Sequence, residues 1–258
     1  MAAGRPQALP ESEIPAMALT SASHVVILGG TSGIGLATAK AATAAGASVV
    51  VASRNPASVE AALAELPAGS AGRAVDASST TDLEAFFTSV GPFDHLVYTV
   101  GDDLAFTPLK DYTPDKGRAF FELRVVAAFD AIRLAVPHIR PGGSITMTSG
   151  TAAFQGGEGW FLGAAASGAT ISAAKSLAVE LATIPIRVNV VAPGVIRSPL
   201  WSQLPEADRE AMYENISRRL PLGRVGEVED AAKAYIQLMD QDYATGTVSV
   251  VDGGTLLV

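Results

Sequence analysis

The densest chemical signal in the sequence is a glycine cluster, Gly29-Gly30-Thr31-Ser32-Gly33-Ile34-Gly35, set directly after the β-branched run His24-Val25-Val26-Ile27-Leu28 and before a helical stretch. The spacing is Gly-x-x-x-Gly-x-Gly at a strand-to-helix turn. Glycine is needed where a chain turns sharply and where backbone N–H groups must approach a phosphate at the positive end of a helix. The chemistry this implies is the cradling of a pyrophosphate; the plain alternative is a glycine-rich turn that holds nothing. A second run ends at Ser53-Arg54-Asn55, where a dinucleotide-binding fold meets the adenosine ribose. An acidic residue there would bind a free 2′-hydroxyl, whereas Arg54 and the Ser53 hydroxyl suit a 2′-phosphate. The pattern favours NADP(H) over NAD(H), against the alternative that Arg54 is a solvated surface side chain.

The elements that must position these groups are legible as alternation. Short apolar runs fall at residues 24–29, 48–53, 72–76, 93–99, 143–149, 186–192 and 247–252. They are nearly continuous in apolar character, which suits strands covered on both faces. Between them lie helical windows at Ile34–Ala45, Thr81–Val90, Asp115–Val136, Ala164–Leu181 and Val228–Met239. Strand and helix in alternation, with right-handed crossovers, predict a doubly wound α/β sheet in one domain.

Composition narrows the function classes. A chain of 258 residues, 48% hydrophobic and 17% charged, can bury a sizeable core and reads as one soluble domain. With 18 Lys plus Arg against 26 Asp plus Glu, and no basic run, nucleic acid is not an expected partner. The absence of cysteine removes disulfides and thiolate chemistry, and His24, His95 and His138 lack metal-ligand spacing, so no metal is expected. No apolar stretch reaches the roughly 18 uncharged residues a spanning helix needs. Residues 1–23, with three prolines and two glutamates, read as a loose N-terminal arm and not a secretory or transit peptide. No membrane association is expected, and the location is expected to be cytoplasmic.

Taken together, these residues resemble the short-chain dehydrogenase/reductase family across nearly all of 24–258. Asp76-Ala77 looks like the family's adenine-contacting pair, and Thr99-Val100-Gly101 stands where the family usually has Asn-Ala-Gly. Ile186-Arg187-Val188-Asn189, Pro193-Gly194-Val195-Ile196, Thr245-Gly246 and Val251-Asp252-Gly253-Gly254 match further family segments. The resemblance implies a single Rossmann-type doubly wound parallel sheet with helices on both faces. It also implies NADP(H) as cofactor, a small-molecule substrate and a substrate lid around residues 197–225. Cofactor contacts fall by the same resemblance on Gly29, Thr31, Ser32, Gly33, Ile34, Ser53, Arg54, Asp76, Ala77, Gly101, Pro193, Gly194 and Ile196. A homodimer or homotetramer would form through the helices of Asp115–Val136 and Ala164–Leu181.

The reacting end departs from the family. Its usual members reduce carbonyls with Ser, Tyr and Lys, plus an Asn on the preceding helix; the Tyr-x-x-x-Lys spacing puts donor and lysine on one helix face. Aligning back from Leu177-Ala178-Val179-Glu180-Leu181 places Gly163 at the Tyr position and Ser167 at the Lys position. Lys175 lies eight residues from Ser167, roughly 12 Å along a helix, and reads as solvated. Ser149 survives at the end of the fifth run, either as a hydroxyl for a substrate oxygen or as a strand-end turn hydroxyl. Arg124 stands at the Asn position, where it orients substrate or nicotinamide, or else forms an ion pair with Glu122 or Asp102. Trp160 lies on a loop over the nicotinamide end and offers a flat apolar wall, its alternative being plain loop packing, as for Leu200 and Trp201 in the lid. These features are similar to an atypical branch that includes fungal bifunctional imine reductases/Diels–Alderases. Those enzymes carry an Asp three residues before the tryptophan, where Gly157 stands here.

Reducing a ketone places negative charge on oxygen, so loss of the proton donor costs on the order of 10²-fold to 10⁴-fold in rate. An iminium carbon needs only hydride. The expected activity is therefore NADP(H)-dependent hydride transfer to an imine, iminium or activated carbonyl, with Ser149, Arg124 and Trp160 as the catalytic-end residues. The alternative from a different class is a non-catalytic NADP(H)-binding sensor or scaffold.

Overall fold

The structure, a computed structural model, describes residues 19–101 and 106–258. Its strands are β1 (His24–Leu28), β2 (Ser48–Ser53), β3 (Ala71–Ala74), β4 (Phe93–Tyr98), β5 (Ile139–Thr148) and β6 (Arg187–Pro193). Two short strands, β7 (Ile196–Arg197) and β8 (Gly226–Glu227), pair in a separate ladder, and β9 (Val248–Val251) completes the main sheet. The main sheet has seven strands, all parallel, in the order β3-β2-β1-β4-β5-β6-β9. Strand order therefore reverses between β1 and β4, and a crevice opens beyond their carboxyl ends.

The helices are α1 (Gly33–Ala44), α2 (Pro56–Glu65), α3 (Thr80–Val90), α4 (Pro114–Phe121), α5 (Ala127–Ala135), α6 (Phe161–Glu180), α7 (Glu206–Ser217) and α8 (Val228–Asp240). They cover both faces of the sheet. One face is filled by Leu83, Phe86 and Phe87 of α3, Ala131 and Ile132 of α5, and Ile171 and Ala174 of α6. The other is filled by Ala39 and Ala42 of α1 with Tyr235, Leu238 and Met239 of α8. This is why the strand runs are apolar on both sides: β4 is buried at every residue. Truncating Phe87, which has no exposed surface, to Ala would cost about 3–5 kcal/mol. Polar residues fix the helix starts: Asn55 caps α2 ahead of Pro56, Ser79 caps α3, and Glu227 with Asp230 forms a capping box on α8.

Beyond shifts of a few residues at element ends, the sequence windows differ from the elements in three places. The single helix expected over Asp115–Val136 is broken by a π-helical turn, Glu122–Val126, between α4 and α5. Strand β5 starts at Ile139, ahead of the run at 143, with a register shift opposite Phe93 and His95. Helices α2 and α7 carry no strong apolar stripe; α7 buries only Tyr213, so neither stood out as a window. The expected arm covers residues 1–23, of which 1–18 lie outside the described residues. Residues 19–23 are tied down: Leu19 N–H donates to Asp240 Oδ1 at 3.2 Å, and Ser48 N–H donates to the Ser23 carbonyl at 2.9 Å. Among the described residues, no helix is long and apolar enough to cross a membrane.

Candidate cofactor and substrate site

Two adjoining cavities, about 450 Å³ and 170 Å³, occupy the crevice and share Gly29, Ser32, Thr99, Val100 and Gly101 in their walls. The glycine turn shapes the junction. Gly29 has φ +83°, and a Cβ there would lie 2.8 Å from Thr99 backbone. A Cβ on Gly35 would sit 2.1 Å from the Gly29 carbonyl oxygen, and one on Gly30 2.8 Å from Val51. Turn and helix therefore touch backbone to backbone. Gly29 and Gly30 N–H groups are taken up by the Ala52 carbonyl, at 2.8 and 3.3 Å. Helix α1 has neither a side-chain cap at Ser32 nor an acidic residue in its first turn, so its amino end faces the crevice with its donors available to an anion. This cradle fits the pyrophosphate of a dinucleotide.

The smaller cavity is walled by Thr31, Ser53, Arg54, Asp76 and Ala77. Asp76 accepts from Ser78 N–H at 3.0 Å and Ser78 Oγ at 2.7 Å, and these bonds, with a weaker contribution from the Arg54 charge, hold its carboxyl below the usual range. Arg54 is exposed. Its position at the carboxyl end of β2 leaves the guanidinium free to turn toward a phosphate at this rim.

The larger cavity holds Gly33, Ile34, Arg124, Ser149, Trp160, Pro193, Gly194 and Ile196 in its walls. All sixteen residues expected at the cofactor and catalytic positions thus line one cavity or the other. Helix α6 contributes Gly163 and Ser167 to the wall. A Cβ at Gly163 would meet nothing within 4 Å, so the space a larger side chain would fill is open. Lys175 is exposed and lines neither cavity. Ser149 Oγ donates to the Ser167 carbonyl at 3.0 Å, which leaves its lone pairs, rather than its proton, to the cavity. Arg124 rides on the π-helical turn, its guanidinium carbon 4.8 Å from the centre of the Phe120 ring. A Cβ on Gly101 would come within 2.8 Å of Arg124 Nη1, so this glycine gives the guanidinium its path. Of its two expected partners, Glu122 is exposed and Asp102 lies outside the described residues. Trp160 occupies the space a side chain at 157 would need: a Cβ there would be 2.8 Å from the indole. Among the described residues, the one phenol in the larger cavity's wall is Tyr98, whose hydroxyl donates to the Leu123 carbonyl at 2.7 Å.

Sequence reasoning passed over Phe120 and Phe106. Phe120 stands four residues before Arg124, and helical spacing alone could have placed it beneath the guanidinium. Phe106 packs edge-on to Trp160, centroids 4.9 Å apart, and 6.2 Å from Trp201, backing two tryptophans of the larger cavity's wall. No spacing in the sequence signals that contact.

Known proteins show the same architecture. A family model described as enoyl-(acyl carrier protein) reductase matches residues 29–255. The short-chain dehydrogenase/reductase ATR9 of Stachybotrys chlorohalonatus is 36% identical, covering 90% of this chain and 96% of its own. A crystal structure of a small-chain dehydrogenase in complex with NADPH is 34% identical and superposes with a TM-score of 0.81 over 92% of this chain and 99% of its own. An NADPH-bound short chain oxidoreductase from Pseudomonas aeruginosa PAO1, described as containing an atypical catalytic center, is 26% identical with a TM-score of 0.85, over 92% and 97%. With its glycine turn, its strand order and these matches along nearly its whole length, the chain belongs to the short-chain dehydrogenase/reductase family.

Proposed function

We propose that the protein is an NADP(H)-dependent oxidoreductase acting on an imine, iminium or activated carbonyl carbon, with no tyrosine proton donor. When bound, NADPH supplies the hydride. The glycine turn and the amino end of α1 would hold its pyrophosphate, Ser53 and Arg54 its 2′-phosphate, Asp76 and Ala77 its adenine, and Pro193, Gly194 and Ile196 its nicotinamide end.

The observation that carries the reading is the α6 wall, which presents Gly163 and Ser167 to the cavity, the two positions that alignment from Leu177-Ala178-Val179-Glu180-Leu181 assigns to the family's tyrosine and lysine. With the Tyr98 hydroxyl given to the Leu123 carbonyl and no phenol at position 163, a substrate that develops charge on oxygen gains little, whereas one already short of electrons needs no proton in the same step. Arg124 would orient the polar end of the substrate and Ser149 would accept a hydrogen bond from it. Trp160 and Trp201 exclude water and press a flat substrate into position. The exposed apolar side chains Val126, Phe129 and Val179 on α5, α6 and the adjoining turn support self-association of the chain. One observation favours the non-catalytic reading: the Ser149 proton is already held by the Ser167 carbonyl.

Matched cyclic iminium and ketone substrates, followed by NADPH consumption, separate the readings. Turnover of the iminium at least about 10²-fold faster than the ketone is expected. Equal or faster ketone reduction overturns the donor-free mechanism, and binding without any turnover favours a sensor.

A further inference from the structure

Every residue from Pro193 to Ser202 lines the larger cavity except Arg197. Its side chain turns away and gathers the segment behind the wall. Nη1 donates to both carboxylate oxygens of Glu210 on α7, at 2.7 and 2.6 Å, and Nε lies 3.6 Å from Glu227 at the end of β8. The guanidinium also stacks on Tyr213 of α7, 4.3 Å from the ring centre. One residue upstream, the Ile196 carbonyl accepts from the indole N–H of Trp201 at 3.0 Å. Tyr213 and Trp201 in turn share a small core with Leu220 and Val225, separate from the two cores on the sheet. The wall segment, α7 and the 220–225 turn therefore pack as one unit, and Arg197, itself on β7, is the charged pin that ties the wall to α7 and to the end of β8.

We infer that Arg197 is a positioning residue that holds the 193–202 wall against the nicotinamide half of the site and so sets how long NADPH stays bound. It acts through the wall and touches no reacting atom. The inference rests on the cofactor reading above, and the test keeps the two apart. Each ion pair is partly exposed and weak alone, but one nitrogen shared by both oxygens of a carboxylate, a second carboxylate at Nε and a stacked ring act together on one guanidinium.

Dissociation of NADPH and of 2′,5′-ADP, which lacks the nicotinamide half, would be measured by stopped-flow fluorescence for the wild type, Arg197→Met, Arg197→Lys and Glu210→Gln. The expected result is NADPH leaving roughly tenfold faster from Arg197→Met and several-fold faster from Glu210→Gln, with partial rescue by lysine, which keeps the charge but loses the Nε contact to Glu227 and the planar stack on Tyr213. Affinity for 2′,5′-ADP stays unchanged. Unchanged NADPH dissociation in both Arg197→Met and Glu210→Gln overturns the inference, as does an equal loss for 2′,5′-ADP, which would mark a general structural role. Should the wild type bind 2′,5′-ADP but not NADPH, the inference falls with the site intact; should it bind neither, the cofactor reading itself falls.

Discussion

Gly35 and Gly163 lie on facing walls of the same cavity and mean opposite things. At Gly35 an added Cβ would press to 2.1 Å from the Gly29 carbonyl oxygen; at Gly163 it would meet nothing within 4 Å. The first glycine is imposed by the close passage of helix α1 over the turn. The second leaves an open stretch of wall. The glycine turn is built largely from close backbone contacts, so its residue types are fixed by sterics. The wall around Gly163 is shaped by side chains, which can change without disturbing the fold that carries them.

The sharpest way to break this contrast is to place bulk at both glycines. Gly35→Val is expected to abolish NADPH binding, by more than about 100-fold, because the obstruction is backbone and cannot swing aside. Titration with NADPH, beside a circular dichroism spectrum showing a folded chain, checks it. Gly163→Tyr with Ser167→Lys is expected to fold normally and to raise ketone reduction on the order of 10²-fold by restoring a phenol donor. Steady-state kinetics on a simple ketone would read the gain, and a misfolded double variant would show that the α6 wall is less open than its geometry says.

The sheet between the two ends supplies a third test. His95 is fully buried on β4, its Nδ1 2.9 Å from Ser144 Oγ, and burial, helped by the nearby Arg187 charge, lowers its pKa to about 4 from 6.5, against a smaller opposing effect of Asp94. The unfolded chain takes up a proton at this histidine below pH 6.5, whereas the folded chain resists it down to about pH 4. The stability it contributes is therefore complete above pH 6.5, is lost as pH falls from 6.5 toward 4, and declines no further below that. The swing is on the order of 3 kcal/mol. Denaturant melts at pH 7 and pH 4.5 should show it, and His95→Gln should flatten it. Because the group lies in the shared core, NADPH binding and the fluorescence of Trp160 and Trp201 should fail together on acidification. The smallest expected effect is that of Arg54→Ala: about tenfold weaker NADPH binding with NADH unchanged, since Arg54 contributes one exposed cation to one phosphate. Equal weakening of both nucleotides would assign Arg54 a structural role.

The same contrast explains what could be read in advance. Glycines 29, 33 and 35 were legible because a fixed backbone shape demands a fixed residue type at fixed spacing. The end of β2 was legible because a strand's last residues have a known place in a doubly wound sheet. The π-helical turn at 122–126 was not, because one extra residue in a helical hydrogen-bond ladder leaves no mark in composition or periodicity; yet that turn carries Arg124 and presents the Leu123 carbonyl to Tyr98. Ser149 could be placed at the site from its position, but the direction of its proton, toward Ser167, is a matter of tertiary geometry. The junction of Phe106 with Trp160 and Trp201, and that of Arg197 with Glu210, join segments remote in sequence or in different elements, so only the fold brings them together.

The central claim is that the cofactor end remains functional while the tyrosine donor is gone, and isotope transfer tests it most directly. The protein would be supplied with NADPH carrying deuterium at the transferable position of the nicotinamide and with a cyclic iminium, and the amine product weighed by mass spectrometry. One deuterium per product molecule, with no matching reduction of the corresponding ketone, is the predicted result. Tight NADPH binding with no deuterium in any product, or ketone reduced as readily as iminium, would contradict it.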